Sequence, residues 1–162
     1  MAKSDKNSDK TNAMRLLEAG GVEYRSYDLC LENAMSASDM ADRLGVEHER
    51  VFKTLVTVGK SGEHYVFIVP SVSELDLKKA AKVTGEKFIE MIPQKQLLPL
   101  TGYIHGGCSP LGMKKLFPTF IDESAILYDT IFFSAGKIGR QIECSADDLA
   151  KVIELKFEDV TV

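Results

Sequence analysis

Between residues 101 and 115 the chain reads Thr101-Gly-Tyr-Ile-His-Gly-Gly-Cys-Ser-Pro-Leu-Gly-Met-Lys-Lys115, with four glycines and one proline in fifteen positions. A run so rich in breakers bares its backbone between the apolar, strand-like segments on either side. Gly102, Gly106, Gly107 and Gly112 are free to take positive φ, so successive N–H groups can converge on one oxygen of a ligand, as phosphate and oxyanion sites require. The same composition also suits a tight connector that holds nothing.

Around this loop the pattern is one of short alternating elements. A helix is expected over 11–18, where Met14 and Leu17 share a side and Gly20-Gly21 follows, and a strand over 23–29. Ser36, Ser73 and Ser145 each precede an aspartate by three residues, which predicts three serine-capped helix starts. Residues 50–58 and 64–69 are β-branched and aromatic and flank Gly59-Lys-Ser-Gly62, so a β-hairpin is expected there. Further strands are predicted at 87–91, 102–105, 119–122, 130–134 and 140–144, then a helix over 146–155 and a last strand near Phe157. Strand-rich stretches broken by short helices predict an α+β domain with a curved mixed sheet and helices outside, while the close spacing of strands after Gly102 argues against regular βαβ units.

With 162 residues, 44% of them hydrophobic, one domain is expected over 11–162, and the polar residues 1–10 read as a flexible tail. The chain has no apolar run of membrane-spanning length and no signal-like amino terminus, so a cytosolic protein without a membrane role is expected. A net charge of −4 argues against tight binding of nucleic acid through phosphates. Any such partner would meet local clusters, Lys78, Lys79, Lys82 and Lys87 or Lys114 and Lys115, each of which also reads as a solvated face. Cys30, Cys108 and Cys144 are widely spaced with no CxxC pair, and His48, His64 and His105 form no ligand motif, so neither a disulfide framework nor a metal is expected. Cys108 and His105 sit close enough in sequence to suggest an activated thiol, but neighbours in sequence need not face each other.

Lys53 interrupts the apolar strand segment Val51-Phe-Lys-Thr-Leu-Val56. It points either to solvent or into a cleft where its charge meets a ligand, and alternation alone does not choose. No GxSxG elbow or Ser-His-Asp set is present. A phosphate cradle for nucleotide chemistry would need GxxxxGK[ST], which is absent.

The glycine run, Val51-Phe-Lys-Thr-Leu55, Leu75-Asp-Leu-Lys-Lys-Ala-Ala-Lys82, Phe117-Pro-Thr-Phe-Ile-Asp122 and Ser134-Ala-Gly-Lys-Ile-Gly139 stand in the order found in the YbaK-type aminoacyl-tRNA deacylases. That family is related to the editing domain of bacterial prolyl-tRNA synthetases, and the resemblance runs from about Asn12 to the carboxyl end. It implies a barrel-like curved sheet and a cofactor-free hydrolase that strips a wrong amino acid from tRNA. Cysteine on the proline tRNA is the foremost target, and prolyl-tRNA synthetase is an implied assisting partner. A non-catalytic module binding a tRNA end, a nucleotide or a synthetase is the alternative.

The resemblance also implies residue roles. Lys53 would position the terminal nucleotide, with Gly106 and Gly107 as the catalytic oxyanion donors. Tyr27, Ser109, Gly112, Ser134 and Gly136 would contact substrate, although each of these five also reads as structural. The substrate's own thiol is expected to attack its ester, so the enzyme need only orient tethered atoms. Two positions depart from relatives: Ile138 stands where an arginine is common, and Gln141 where some members carry an acid. The second leaves alanine or another small residue open as the acyl group.

Overall fold

The computed structural model describes residues 10–162 and the backbone of a two-residue strand, β1 (Lys3–Ser4), which pairs antiparallel with Tyr27 and Asp28. The expected tail otherwise falls outside the described residues. The remaining elements are α1 (Asn12–Ala19), β2 (Arg25–Asp28), α2 (Ala37–Leu44), β3 (Phe52–Gly59), β4 (His64–Pro70), α3 (Leu77–Thr84) and β5 (Ile89–Met91). They continue as α4 (Leu97–Thr101), β6 (Thr119–Asp122), β7 (Ile131–Ser134), β8 (Arg140–Cys144), α5 (Ala146–Val152) and β9 (Leu155–Glu158).

The strands form a four-stranded sheet in the order β1-β2-β8-β7 and a five-stranded mixed sheet in the order β5-β3-β4-β6-β9. The expected hairpin is β3–β4, paired from Phe52↔Pro70 to Val58↔His64, while β4–β6 and β6–β9 run parallel. A parallel bridge, Val51↔Phe132, joins the two sheets. The α+β architecture stands as expected. The described strands do not close on themselves, so the barrel-like expectation reduces to two open sheets meeting at that bridge.

Alternation sends Phe52, Ile68, Ile121, Phe133 and Ile142 into one core shared with Leu17 of α1 and Leu149 of α5. A second core places Tyr65, Phe67, Val69 and Phe120 beneath Ala80 of α3. A third packs Met40 and Ala41 of α2 on Leu29, Val51 and Phe132, which fixes that helix beside the inter-sheet bridge. Burial of side chains this size is worth about 1.5–3 kcal/mol each, so these contacts set where every connecting loop can lie. Among the described residues no helix is long and apolar enough to cross a membrane.

Ser36 and Ser145 cap α2 and α5 as predicted, each accepting the N–H three residues on. Ser73 does not cap α3. Leu75 is held extended by its bridge to Thr161, so the helix starts later, and Asp76 accepts the Lys78 and Lys79 N–H groups at 2.9 and 3.1 Å. The strand expected at 102–105 is also absent. The unpredicted α4 ends at Gly102, and the chain then turns, with Gly107 N–H donating to Ile104 O at 3.0 Å. The last helix stops at Val152, three residues earlier than expected, because Leu155 is already paired with Thr119 in β9.

Candidate active site

Strand β3 has two edges, and β4 occupies one along its whole length. On the other edge, β7 lies beside β3, but among the described residues its ladder pairing is limited to the bridge Val51↔Phe132 just before β3 begins, and β5 pairs only with residues 57–59, followed by Ile92 N–H to Val56 O. Between these pairings the edge of residues 52–55 has no paired strand among the described residues. The gap is a cleft of about 310 Å³, floored by residues 51–55 and walled by Ala34, Met35 and Met40, by Ser71, by residues 105, 106 and 108, and by Ser134 and Gln141.

Lys53 lies in this cleft, half-buried, with Nζ donating to Ser71 O at 3.4 Å. Burial pulls its pKa below the ordinary lysine value, opposed by the charge of Glu74. A lysine held this way is a cation with spare donors, suited to a phosphate or an ester oxygen.

The glycine run enters as a turn over residues 104–107. Its third residue, Gly106, has φ 87°, and a Cβ there would sit 2.8 Å from the Cβ of Ala34, so only glycine lets the turn approach the 34–37 wall. Gly106 lines the cleft and its N–H makes no hydrogen bond among the described residues. Gly107 is placed differently. Its N–H is committed to Ile104 O, and a Cβ on it would lie 3.1 Å from the Ile138 nitrogen, so it packs on the neighbouring loop rather than lining the cleft. The expected pair of converging donors is therefore not formed in this structure.

Ser134 lines the cleft, with its Oγ accepting the Gly136 N–H at 3.1 Å. The four other expected contacts pack elsewhere. Ser109 is fully buried and accepts the Leu111 N–H at 3.2 Å, which shapes the loop. Gly112 and Gly136 both border Tyr103, whose hydroxyl donates to Leu111 O, and a Cβ on either would stand 2.8–2.9 Å from that ring or its oxygen. Tyr27 shares a cross-strand row with Gln141, but its hydroxyl donates to Glu143 at 2.8 Å and its ring packs on Phe132. It buttresses the bridge region without lining the cleft.

Cys108 and His105 do line the same cleft, the former buried and the latter exposed. Burial pushes the Cys108 thiol up to about 12, so it stays protonated and is a poor nucleophile at neutral pH. Among the described residues no three His, Cys, Asp or Glu side chains gather as metal ligands.

Two cleft residues were not assigned a binding role from sequence. Thr54 Oγ1 and Gln141 Oε1 are the buried side-chain atoms left without a hydrogen-bond partner among the described residues, and both residues line this cleft. An unpaired buried polar atom costs about 1–3 kcal/mol, and native folds rarely leave one, so these two residues are the candidates in this cleft for polar contact with a ligand. Thr54 directly follows Lys53, and Gln141 departs from relatives, but only tertiary structure shows that both are unsatisfied. The lysine clusters are less open than they read: Lys79 Nζ contacts Asp159 at 3.0 Å and Thr161 O at 2.8 Å, and Lys114 reaches Pro99 O.

Comparison with known proteins places the chain in a family. The model of the aminoacyl-tRNA editing domain matches residues 31–152, which contain every cleft residue named above. The chain is 47% identical over 162 residues to EbsC of Enterococcus faecalis (strain ATCC 700802 / V583), which is named for deacylation of Cys-tRNA(Pro) and Cys-tRNA(Cys); 99% of this chain and 98% of that protein are covered. It is also 32% identical over 80 residues to a proline–tRNA ligase of Pelobacter propionicus (strain DSM 2379 / NBRC 103807 / OttBd1), covering 49% of this chain and 14% of the ligase. A crystal structure described as that of a trans-editing enzyme for prolyl-tRNA synthetase superposes with a TM-score of 0.81 at 24% identity, covering 93% of this chain and 92% of that one, a likeness of fold. This chain belongs to the aminoacyl-tRNA editing domain family.

Proposed function

We propose that this protein is a trans-editing hydrolase that releases cysteine from mischarged tRNA, in the first place Cys-tRNA(Pro). The observation that carries the reading is a cleft holding one fixed cation and, among the described residues, two buried polar atoms without partners and a cysteine whose thiol stays protonated. Such a site works by arrangement. Lys53 holds the 3′ nucleotide or the ester oxygens, and the Gly106 N–H is available to the carbonyl oxygen as negative charge develops on it. One preorganised donor of this kind is worth roughly 3–4 kcal/mol of barrier.

The attack comes from the substrate. The cysteine sulfur forms a bond to its own acyl carbon, the ester C–O bond breaks, and the thiol proton passes to the departing ribose oxygen. Water then opens the thiolactone to free cysteine. Tethering of the sulfur to the carbonyl makes the step intramolecular, and the enclosure selects the conformer in which the two meet. With a net charge of −4 and Lys79 already paired, tRNA affinity is modest and salt-sensitive, so prolyl-tRNA synthetase is the partner that supplies the charged tRNA. The reaction takes place where translation does, in the cytosol.

The test is release of labelled amino acid from a panel of charged tRNAs. Cys-tRNA(Pro) is expected to lose its label well above the spontaneous rate. If no cysteinyl or small-residue ester is cleaved faster than in buffer, the hydrolase reading fails, and saturable binding without cleavage would identify a recognition module.

A further inference from the structure

Thr54 Oγ1 on β3 and Gln141 Oε1 on β8 are buried atoms without a hydrogen-bond partner among the described residues, and both residues line a cleft whose described lining includes no aspartate or glutamate. The permanent charge among the lining side chains is that of Lys53. An ammonium group brought into this space would lose hydration beside a like charge with no carboxylate to compensate it. A neutral amine meets different conditions: it can donate an N–H to the carboxamide oxygen of Gln141 and offer its lone pair to the hydroxyl hydrogen of Thr54, whereas an ammonium has no lone pair. Resting on the function proposed above, we propose that the cleft takes its aminoacyl ester with the α-amino group unprotonated, and that Gln141 and Thr54 are the residues that read it.

The groups that could titrate around Gln141 are few. Lys53 faces it from β3, and His105 and Cys108 from the glycine run. Tyr27 stands opposite it on β2, with its hydroxyl tied to Glu143. On β8 itself Glu143 also accepts from Thr130, and Arg140 pairs with Asp28 of β2 at 3.9 Å. The 34–40 wall, Ser71 and Ser134 contribute no titratable side chain to the cleft, while Glu74 acts on Lys53 through its charge. His105 is the imidazole among these groups, so it needs its own control; an α-amino group ordinarily titrates at about 7.7.

The experiment measures binding of two non-hydrolysable probes to the full chain by calorimetry. One is 3′-(L-seryl)amido-3′-deoxyadenosine, which carries the amine but no titrating thiol, and the other is its 3-hydroxypropionyl counterpart, which lacks the amine. If only the free amine binds, wild-type affinity for the seryl probe should rise roughly 40-fold from about pH 6 to about pH 8.5, while the second probe stays level. Gln141→Glu supplies the missing carboxylate and should reduce that rise to about threefold or less, and Thr54→Val should weaken only the seryl probe. His105→Gln should leave the profile in place. A level wild-type profile, an unchanged profile in Gln141→Glu, or failure of both probes to bind a protein that deacylates Cys-tRNA would overturn amine recognition. Deacylation measured alongside separates the two readings: cleavage with a level profile removes only this inference, whereas pH-dependent probe binding without cleavage removes the hydrolase.

Discussion

Tyr103 occupies the space that a side chain at Gly136 would need: a Cβ on Gly136 would lie 2.9 Å from its Cε1, at a residue whose φ is 105°. The glycine run and the turn after β7 are thus locked together behind the cleft by one ring, whose hydroxyl is in turn held by Leu111 O. Replacement of Gly136 by alanine should cost about 1–3 kcal/mol through backbone strain and the clash. Urea denaturation is the check, and a midpoint equal to wild type would disprove the packing role.

Lys53 is expected to separate activity from stability. Because burial depresses its pKa, the charged form is less favoured in the folded than in the unfolded chain. Stability is therefore lowered below the folded pKa and recovers as pH rises through the window just beneath the ordinary lysine value. Lys53→Met should lose deacylation by about 100-fold or more while unfolding no more readily than wild type at neutral pH. Its relative advantage should fade toward alkaline pH. A variant that keeps its rate would remove the cation from the mechanism.

Cys108 should be catalytically dispensable. Its thiol remains protonated, so Cys108→Ala should retain deacylation within about tenfold, against losses of about 10⁴ or more when a true nucleophile is removed. Thiol labelling offers an independent check. Cys30 is exposed, while Cys108 and Cys144 are buried with pKa values raised to about 12 by burial. Only Cys30 should react in the native protein and all three in denaturant. Rapid native alkylation of Cys108 with loss of activity would contradict the assignment.

Asp122, only 3% exposed, accepts hydrogen bonds from the Ser124 N–H and Oγ, the Val160 N–H and the Thr161 hydroxyl. It pins the end of the chain to β6. Asp122→Ala leaves buried donors unpaired and should destabilise by about 2–4 kcal/mol, with hydrogen exchange accelerated first at residues 160–162. Unchanged protection there would refute the anchoring role.

Much of the molecule was legible in the order of its residues. The hairpin, the serine caps at residues 36 and 145, and the strands at 119–122 and 140–144 follow from local propensity and short-range hydrogen bonding. Those signals survive folding when nothing distant competes with them. Where a distant contact intervened, the local signal lost. The Leu75–Thr161 bridge moved a helix start from Ser73 to Asp76, and the Tyr103 anchorage replaced an expected strand with a turn.

For the site, the motifs identified Lys53, Gly106 and Ser134, which tertiary structure brings to one cleft. The same motifs also contain Ser109, Gly112 and Gly136, whose observed work is to close a loop and make room for Tyr103. Sequence thus determined which residue types and elements were available. The cleft itself exists because β5 and β7 each leave β3 unpaired over the same few residues, a gap between strands far apart in the chain. The unsatisfied state of Thr54 and Gln141 arises the same way: satisfaction of a polar atom depends on every neighbour that approaches it in space, and only the folded arrangement of β3 against β8 decides which neighbours those are.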